Sequence, residues 1–256
     1  MSWSAKQYVA FEGERTRPVR DLVAALPVVS AATIMDLGCG PGNSTEVLAA
    51  RYGDAKIFGI DSSDDMITAA RKRMPGAQFA VRDIAEWQDR GPFDVILANA
   101  VLQWVPHHES LLPDLVQRLT VGGALAVQMP DNLEEPAHQL MRETAAAAGP
   151  WADKLNAAGG ARTNLPSAGW YHELLRPLVT RIDLWRTTYY HVLSGAGAVV
   201  EWFKGSGLRP FLEPLTATER EAYLKRYTES IARAYPAGAD GSVLLPFPRL
   251  FMIAVR

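Results

Sequence analysis

The stretch MDLGCGPGNST, residues 35–45, places three glycines at alternate positions behind an aspartate. It lies between a short apolar run and a segment with helical periodicity, so it predicts a turn from a buried strand into a helix. Glycine adopts positive φ and, having no Cβ, lets a ligand approach the backbone. In an open parallel sheet, ligands bind beyond the carboxyl ends of the strands. The stretch therefore predicts a cofactor-binding loop at the end of the first strand.

The spacing of these glycines differs from that of a dinucleotide-binding loop. Such loops follow G-x-G-x-x-G and hold a pyrophosphate at the helix N-terminus. Here the third glycine, Gly42, comes one residue early, and Asn43 occupies the dinucleotide position. The helix that follows contains Glu46, and no Lys or Arg is nearby to hold a phosphate. The loop therefore favours a ligand that is less anionic than a dinucleotide.

Each of the first three predicted strands ends in an aspartate: Asp36, Asp61 and Asp83. Asp61 lies 61 − 42 = 19 residues beyond the last glycine, where an acid accepts hydrogen bonds from ribose hydroxyls. Asp83 can accept from an adenine amino group, although Asp36 and Asp83 could also be simple helix caps. An acid-lined crevice suits a ligand with a cationic centre. We therefore predict S-adenosylmethionine, which carries a sulfonium, an ammonium and a ribose, as the cofactor.

Apolar runs and helical stretches alternate around this loop, which predicts an α/β fold with a parallel sheet and helices on both faces. One of the helices is predicted over residues 108–123. After Pro130 the pattern loosens, and two long late strands are expected to form an antiparallel edge. We predict one domain over residues 1–256, with a cofactor-binding core at about 30–130 and helical cap insertions at about 131–176 and 194–242. The predicted strands are TIMDL, KIFGID, QFAVRD, FDVILAN, GALAVQMP, VTRIDLWRTTYYHVL and VLLPFPRLFMIAVR.

Composition limits the classes of partner. The net charge is −2 and no long basic run occurs, which argues against nucleic acid. No apolar run approaches the ~20 residues of a membrane helix, and the N-terminus has no signal-peptide h-region. The single cysteine, Cys39, excludes an internal disulfide, and a Cys/His zinc cluster is excluded by count. We expect a cytoplasmic protein with a small-molecule substrate and no metal.

The core resembles the class I S-adenosylmethionine-dependent methyltransferases, whose Rossmann-like, doubly wound sheet has seven strands and an antiparallel last strand. The resemblance implies that the methionine part of the cofactor lies on the glycine loop, and that the ribose and adenine lie beside the second and third strand ends. It also implies that the segment after the fourth strand lies beneath the sulfonium. Tyr8 and Phe11, on the N-terminal segment, can close over the cofactor as a lid or can pack under the first helix. The implied cofactor residues are Tyr8, Gly38, Cys39, Gly40, Asn43, Asp61, Ser62, Met66, Arg82, Asp83, Ile84, Asn99, Ala100 and Leu102.

The full chain is similar to a narrower family, the trans-aconitate methyltransferases. The stretches that carry the likeness lie at residues 8–27, 102–138 and 200–215, beginning YVAFEGERTR, LQWVPHHESL and VEWFKGSGLR. The resemblance implies methylation of one carboxylate of trans-aconitate to give a monomethyl ester and S-adenosylhomocysteine. The glycine motif is common to the superfamily and does not select this acceptor.

A carboxylate acceptor is ionised at neutral pH, so its attack on a sulfonium methyl needs no general base. We therefore predict no catalytic side chain, only positioning by Gln103 and Trp104 and exclusion of water. A trianionic substrate favours clamping by arginine side chains, which bind carboxylates with two parallel hydrogen bonds. Arg249 is one candidate for this clamp, although most arginines are solvated surface residues. The other predicted substrate residues are Arg15, Arg17, Trp104, Trp170, Tyr171 and Arg209.

Three other functions remain open at this point. The acceptor can be another small carboxylate or acyl group, an amine or a ring carbon. A nicotinamide-dependent oxidoreductase is disfavoured by the early third glycine and by Asp83. A non-catalytic module that binds S-adenosylmethionine is disfavoured by the two cap segments. His107 and His108 invite a metal interpretation, but without a third ligand at useful spacing we expect both to be exposed residues at a helix start.

Overall fold

A computed structural model describes residues 12–89, 91–155, 158–160 and 164–256. Its sheet has seven strands in the order β3-β2-β1-β4-β5-β7-β6. β1 to β5 pair in parallel, and β7 is antiparallel to β5. This confirms the predicted fold class. The strands are β1 (Thr33–Leu37), β2 (Lys56–Asp61), β3 (Gln78–Val81), β4 (Phe93–Asn99), β5 (Leu119–Pro130), β6 (Arg181–Leu193) and β7 (Val243–Val255).

Helices alternate with the first five strands and fill most of the chain between β5 and β7. Short 3₁₀ turns follow β3 and β4, at Ile84–Glu86 and Leu102–Trp104. The helices are α1 (Glu12–Ala25), α2 (Asn43–Arg51), α3 (Asp64–Arg73), α4 (His108–Gln117), α5 (Pro136–Ala146), α6 (Ala168–Leu175), α7 (Ala196–Lys204), α8 (Arg209–Leu212) and α9 (Ala217–Ala234). Among the described residues, none of these helices has the length and hydropathy needed to cross a membrane.

The described chain divides into two compact units. The first runs up to Pro130 and includes Leu165–Thr187 and Arg249–Arg256. The second consists of Asp131–Asn164 and Thr188–Pro248. Within the second unit, α5 is tied to α9 because the hydroxyls of Tyr223 and Tyr227 donate to the backbone carbonyls of Met141 and Ala137, at 2.9 and 3.0 Å. The predicted single domain with cap insertions stays a prediction.

Strand alternation gives the sheet of the first unit two distinct faces. Ala98 of β4 and Val127 of β5 belong to the core cluster that also contains the inner face of α4. Their neighbours Asn99 and Gln128 therefore point to the opposite face. α1 packs on β5, and its buried Leu22 is not part of that first cluster. Asn99 and Gln128 consequently share their face of the sheet with α1.

The predicted boundary between α4 and β5 is wrong. The helix expected over residues 108–123 ends at Gln117, and β5 begins at Leu119. Leu119 pairs with Phe93 of β4, and after a register shift Ala124 pairs with Val95. The apolar run at the start of the strand continues the helical periodicity of α4, so the local pattern does not mark the change. Pairing with β4 determines where the strand starts.

Candidate cofactor and acceptor site

The glycine loop joins β1 to α2, and two of its glycines serve different purposes. Gly38 and Gly40 have φ of +65° and +53°, a region that other residues rarely adopt. A Cβ on Gly38 would lie 2.4 Å from Cγ2 of Val101, whereas a Cβ on Gly40 would meet nothing within 4 Å. Gly38 therefore lets the loop pack against the segment that follows β4. Gly40 leaves open space above the loop, where a ligand can reach the backbone.

Asp61, the last residue of β2, holds the glycine loop in place. Its Oδ2 accepts from the backbone N–H of Gly40 at 3.0 Å, and its Oδ1 accepts from that of Ser63 at 2.9 Å. Burial raises the pKa of Asp61, and these two hydrogen bonds oppose the rise. A carboxylate has about four acceptor positions. Asp61 can therefore accept from ribose hydroxyls while it keeps both backbone contacts.

Asp36 is fully buried and acts within the fold. Its Oδ2 accepts from the hydroxyls of Ser44 and Thr45 at 2.8 and 2.6 Å, which joins the end of β1 to the first turn of α2. Burial raises the pKa of Asp36 to about 7, and the two hydroxyl bonds lower it in part. Asp83 is exposed, and its Oδ1 accepts from the backbone N–H of Ala85 at 2.9 Å. Asp83 thus caps the 3₁₀ turn at Ile84–Glu86 and retains exposed oxygen for a ligand, whereas Asp36 bonds hydroxyl side chains and caps no backbone N–H in the described chain.

The residues predicted to hold adenine and methionine lie around the same strand ends. On the adenine side, Met66 and Ile84 are buried, while Ser62 and Arg82 are exposed. Asn43 is buried, and its Nδ2 donates to Oγ1 of Thr16 on α1 at 3.3 Å. Burial also raises the pKa of the Cys39 thiol above its usual range, so the thiol stays protonated. Tyr8, with its neighbour Phe11 in the predicted lid, lies outside the described residues.

The turn after β4 carries buried amide oxygens. Ala100 has φ of +55° without being glycine, and its N–H donates to the backbone carbonyl of Gln128 at 2.8 Å. The side chain of Gln103 is hydrogen-bonded to this turn: its Nε2 donates to the carbonyl of Ala100 at 2.7 Å. Oδ1 of Asn99 and Oε1 of Gln103 are buried and have no hydrogen-bond partner among the described residues. Two spare acceptors therefore lie where the resemblance expects the cationic part of the cofactor.

Tyr171, one of the predicted substrate residues, lies against a buried histidine. Tyr171 is fully buried, and Trp170 beside it on α6 is partly exposed. His108 is only 8% exposed. Its Nδ1 lies 2.8 Å from the Tyr171 hydroxyl, and its Nε2 lies 2.9 Å from the carbonyl oxygen of Leu102. That carbonyl can only accept, so Nε2 is the donor.

The expectation that both histidines are exposed is therefore wrong for His108. The side chain of His107 is 76% exposed, whereas His108 joins α6 to the turn after β4. Spacing along the chain could not show this, because Tyr171 lies 63 residues further on.

The predicted arginines differ in environment. On α1, Arg15 is 9% exposed, whereas Arg17 is exposed. In the second unit, Arg209 begins α8, and its Nη2 donates to Oε1 of Glu213 at 2.7 Å. Arg249, on β7, is 4% exposed. These placements leave the assignment of a substrate clamp as a prediction.

These residues fit S-adenosylmethionine. Gly40 leaves open space above the loop, Asp61 can accept further hydrogen bonds, and the spare oxygens of Asn99 and Gln103 suit a cationic group. The methyltransferase domain model matches residues 34–123 of the chain, which cover this loop and the turn after β4.

Curated relatives match the whole chain. The trans-aconitate 2-methyltransferase of Rhodopseudomonas palustris strain BisB18 is 53% identical over 254 residues, which is 99% of each chain. That of Azoarcus sp. strain BH72 is 50% identical over 255 residues, covering 100% of this chain and 99% of its own. The chain belongs to the trans-aconitate 2-methyltransferase family.

Solved structures place this member of the trans-aconitate 2-methyltransferase family in a wider fold group. The YcgJ protein of Bacillus subtilis aligns with a TM-score of 0.61 at 10% identity, over 94% of this chain and 98% of its own. The phosphoethanolamine N-methyltransferase 2 of Haemonchus contortus aligns with a TM-score of 0.56 at 14% identity, over 94% of this chain and 52% of its own. At these identities the likeness shows the fold alone.

One residue of this family member is missing from the predicted site. Gln128 of β5 is fully buried, and its Oε1 accepts from Nη1 of Arg249 at 3.0 Å. The sequence carried a signal for it, because Gln128 is the single polar side chain in the apolar run ALAVQMP. A polar residue inside a buried strand needs a hydrogen-bond partner.

Proposed function

We propose that the protein catalyses transfer of a methyl group from S-adenosylmethionine to one carboxylate of trans-aconitate, giving the monomethyl ester and S-adenosylhomocysteine. The observation that carries this proposal is the extent of the family likeness. Identity of 50% or more runs over 99% or more of the chain. It therefore includes residues 131–164 and 188–248, which lie outside the methyltransferase domain match at 34–123.

For the cofactor, we infer that the glycine loop, the ends of β2 and β3 and the turn after β4 supply the binding residues. Gly38, Cys39, Gly40 and Asn43 line the methionine part, and Asp61 accepts from the ribose. The remaining residues of the proposal surround the adenine and the sulfonium. They are Ser62, Met66, Arg82, Asp83, Ile84, Asn99, Ala100 and Leu102, together with Tyr8.

When bound, S-adenosylmethionine supplies a methyl group on a sulfonium, which a carboxylate oxygen takes while the electron pair of the broken S–C bond stays on sulfur. No proton has to move in this step, so the protein needs to orient the acceptor and exclude water. Positioning of this kind can contribute several kcal/mol to a rate. We assign it to Gln103 and Trp104, with Arg15, Arg17, Arg209, Trp170 and Tyr171 as acceptor-binding residues.

The proposal extends to the partner class and the location. A small polycarboxylate is the expected substrate, with no nucleic-acid or membrane partner, and the expected location is the cytoplasm. The near-neutral net charge of −2 and the ordinary globular composition support this part of the proposal.

The test is to incubate purified protein with S-adenosylmethionine, labelled in the methyl group, and trans-aconitate. We expect labelled monomethyl ester and S-adenosylhomocysteine in equal amounts, with NMR identifying the esterified carboxylate. The matched control offers other di- and tricarboxylates and acyl thioesters at the same concentration. Methyl transfer to one of these compounds but not to trans-aconitate would show that the proposed acceptor is wrong. Binding of a nicotinamide cofactor would show that the proposed reaction class is wrong.

A further inference from the structure

Gln128 has a defined place relative to the proposed site. It pairs in register with Asn99, the last residue of β4, so the two side chains lie next to each other on one face of the sheet. Its backbone carbonyl accepts from Ala100, the first residue of the turn beneath the proposed methyl donor. Gln128 therefore lies at the level where β4 ends, and it is fully buried there.

Arg249 determines which way the Gln128 amide faces. A guanidinium has only donors, so the amide atom 3.0 Å from Nη1 of Arg249 is the oxygen Oε1. The Nε2 group then points away from Arg249 with two N–H donors. Arg249 is itself buried on β7, which holds this orientation.

Nε2 of Gln128 has no acceptor among the described residues, although it is buried. Oδ1 of Asn99 is likewise buried and unbonded within the described chain, so the neighbouring amides do not satisfy each other. Native proteins leave few buried polar atoms without partners. A spare buried donor next to the turn beneath the proposed methyl donor therefore indicates a ligand that brings an acceptor atom, and a carboxylate is such a group.

We propose that Nε2 of Gln128 donates a hydrogen bond to a carboxylate oxygen of the methyl acceptor, with Arg249 as the positioning residue that orients the amide. This inference rests on the proposed function. Gln128 then contributes to selection of a polycarboxylate, because an acceptor without a carboxylate at this point leaves the donor unsatisfied. The methionine part of the cofactor also carries a carboxylate, so the experiment has to separate the two sources.

The sharpest variant is Gln128→Glu. It keeps an oxygen for Arg249 but replaces the Nε2 donor by a second, negatively charged oxygen, which repels a carboxylate. We expect the Kd of trans-aconitate, measured by calorimetry on protein saturated with S-adenosylhomocysteine, to rise at least about 100-fold. KM should rise with it, while kcat at saturating acceptor stays within about threefold and the Kd of S-adenosylhomocysteine within about twofold.

The control is Gln117→Glu, the same change at an exposed position of α4, which should leave every constant unchanged. A purely structural role for Gln128 predicts an unaltered Kd, because the contact with Arg249 remains, and that result would overturn the inference. An equal loss of affinity for S-adenosylhomocysteine would assign Gln128 to the cofactor instead and also overturn it.

A second variant covers the case in which the first does not fold. Gln128→Met matches the shape of the side chain and removes the donor without adding charge, so we expect about a tenfold rise in the Kd of trans-aconitate. The test is completed by measuring the Kd of three dicarboxylates, each lacking one carboxylate of trans-aconitate, for wild-type protein and for Gln128→Met. Gln128→Met should weaken two of them and leave unchanged the one that lacks the contacted carboxylate.

If all three dicarboxylates were weakened equally, a specific contact would be refuted. Wild-type protein that binds and methylates trans-aconitate, together with variants of unchanged Kd, would refute only the role of Gln128. Wild-type protein that neither binds nor methylates it would overturn the proposed function as well.

Discussion

The two halves of the sheet edge carry opposite chemistry. Asp36, Asp61 and Asp83 lie within two residues of the ends of β1, β2 and β3, respectively. On the other side of β1, the ends of β4 and β5 carry the amides of Asn99 and Gln128. Both halves belong to the first compact unit. We call them the acidic half, β1 to β3, and the amide half, which is β4, β5 and the part of β7 that bears Arg249.

The difference indicates how one crevice can bind two unlike ligands. In the acidic half, Asp61 and Asp83 keep acceptor positions that suit hydroxyl and cationic groups. In the amide half, the Nε2 of Gln128 is a donor without an acceptor among the described residues, and it suits a carboxylate. The spare oxygens of Asn99 and Gln103 lie at the end of β4 and in the turn after it, and β4 is the strand of the amide half that pairs with β1. Methyl transfer from a cation to an anion would take place where the halves meet.

The largest expected effect tests the acidic half. Asp61→Ala removes the acceptor for two backbone N–H groups of the loop and for the ribose, so we expect the Kd of S-adenosylhomocysteine to rise at least about 100-fold, or about 3 kcal/mol. Calorimetry measures it. Asp54→Ala, at an exposed aspartate after α2, serves as the control. An unchanged Kd of S-adenosylhomocysteine in the Asp61 variant would refute a role of the acidic half in cofactor binding.

The next effect separates folding from binding within the glycine loop. Gly38→Ala forces a Cβ against Val101 at positive φ, so we expect the free energy of unfolding to fall by about 2–3 kcal/mol. Gly40→Ala carries only the backbone cost of about 1 kcal/mol, but it should weaken S-adenosylhomocysteine binding. Urea unfolding and calorimetry check the pair. Equal unfolding effects from both variants would contradict the distinct roles of the two glycines.

A pH dependence of stability follows from Asp36. Its pKa is raised from 3.8 to about 7, so between these values the folded protein binds more protons than the unfolded chain and wild-type stability falls as pH rises. Asp36→Asn cannot titrate but can still accept from Ser44 and Thr45. We expect the variant to gain about 1.4 kcal/mol per pH unit relative to wild type between pH 5 and 7. Urea unfolding at several pH values tests this against Asp54→Asn, and parallel curves for Asp36→Asn and wild type would refute it.

The smallest effect concerns the support beneath the amide half. Tyr171→Phe removes the hydroxyl that contacts His108 while the ring stays in the core, so we expect a loss of about 1 kcal/mol in the free energy of unfolding. Tyr190→Phe is the matched control, because Tyr190 is 60% exposed. If thermal unfolding does not distinguish the two variants, the contact with His108 contributes nothing to stability.

The acidic half could be predicted from sequence to a greater extent than the amide half. The predicted strands at residues 33–37, 56–61 and 93–99 match β1, β2 and β4. Apolar alternation and glycine spacing are local, so they mark these elements directly. The prediction that His108 is exposed is wrong, and Gln128 is absent from the predicted site. Both differences arise because the hydrogen-bond partners of these residues lie far away in the sequence. The bond between Gln128 and Arg249 joins residues 121 positions apart.

Local sequence patterns are enough to predict the parallel sheet and the loop at its edge. Strand hydrophobicity, positive φ at Gly38 and Gly40, and an acid at the end of β2 are each constrained within a few residues. Contacts between distant segments determine which polar atoms are buried, which are hydrogen-bonded and which remain spare for a ligand. The pairing of β5 with β7 brings Arg249 to Gln128 and orients its amide, and no local pattern encodes a contact over that separation.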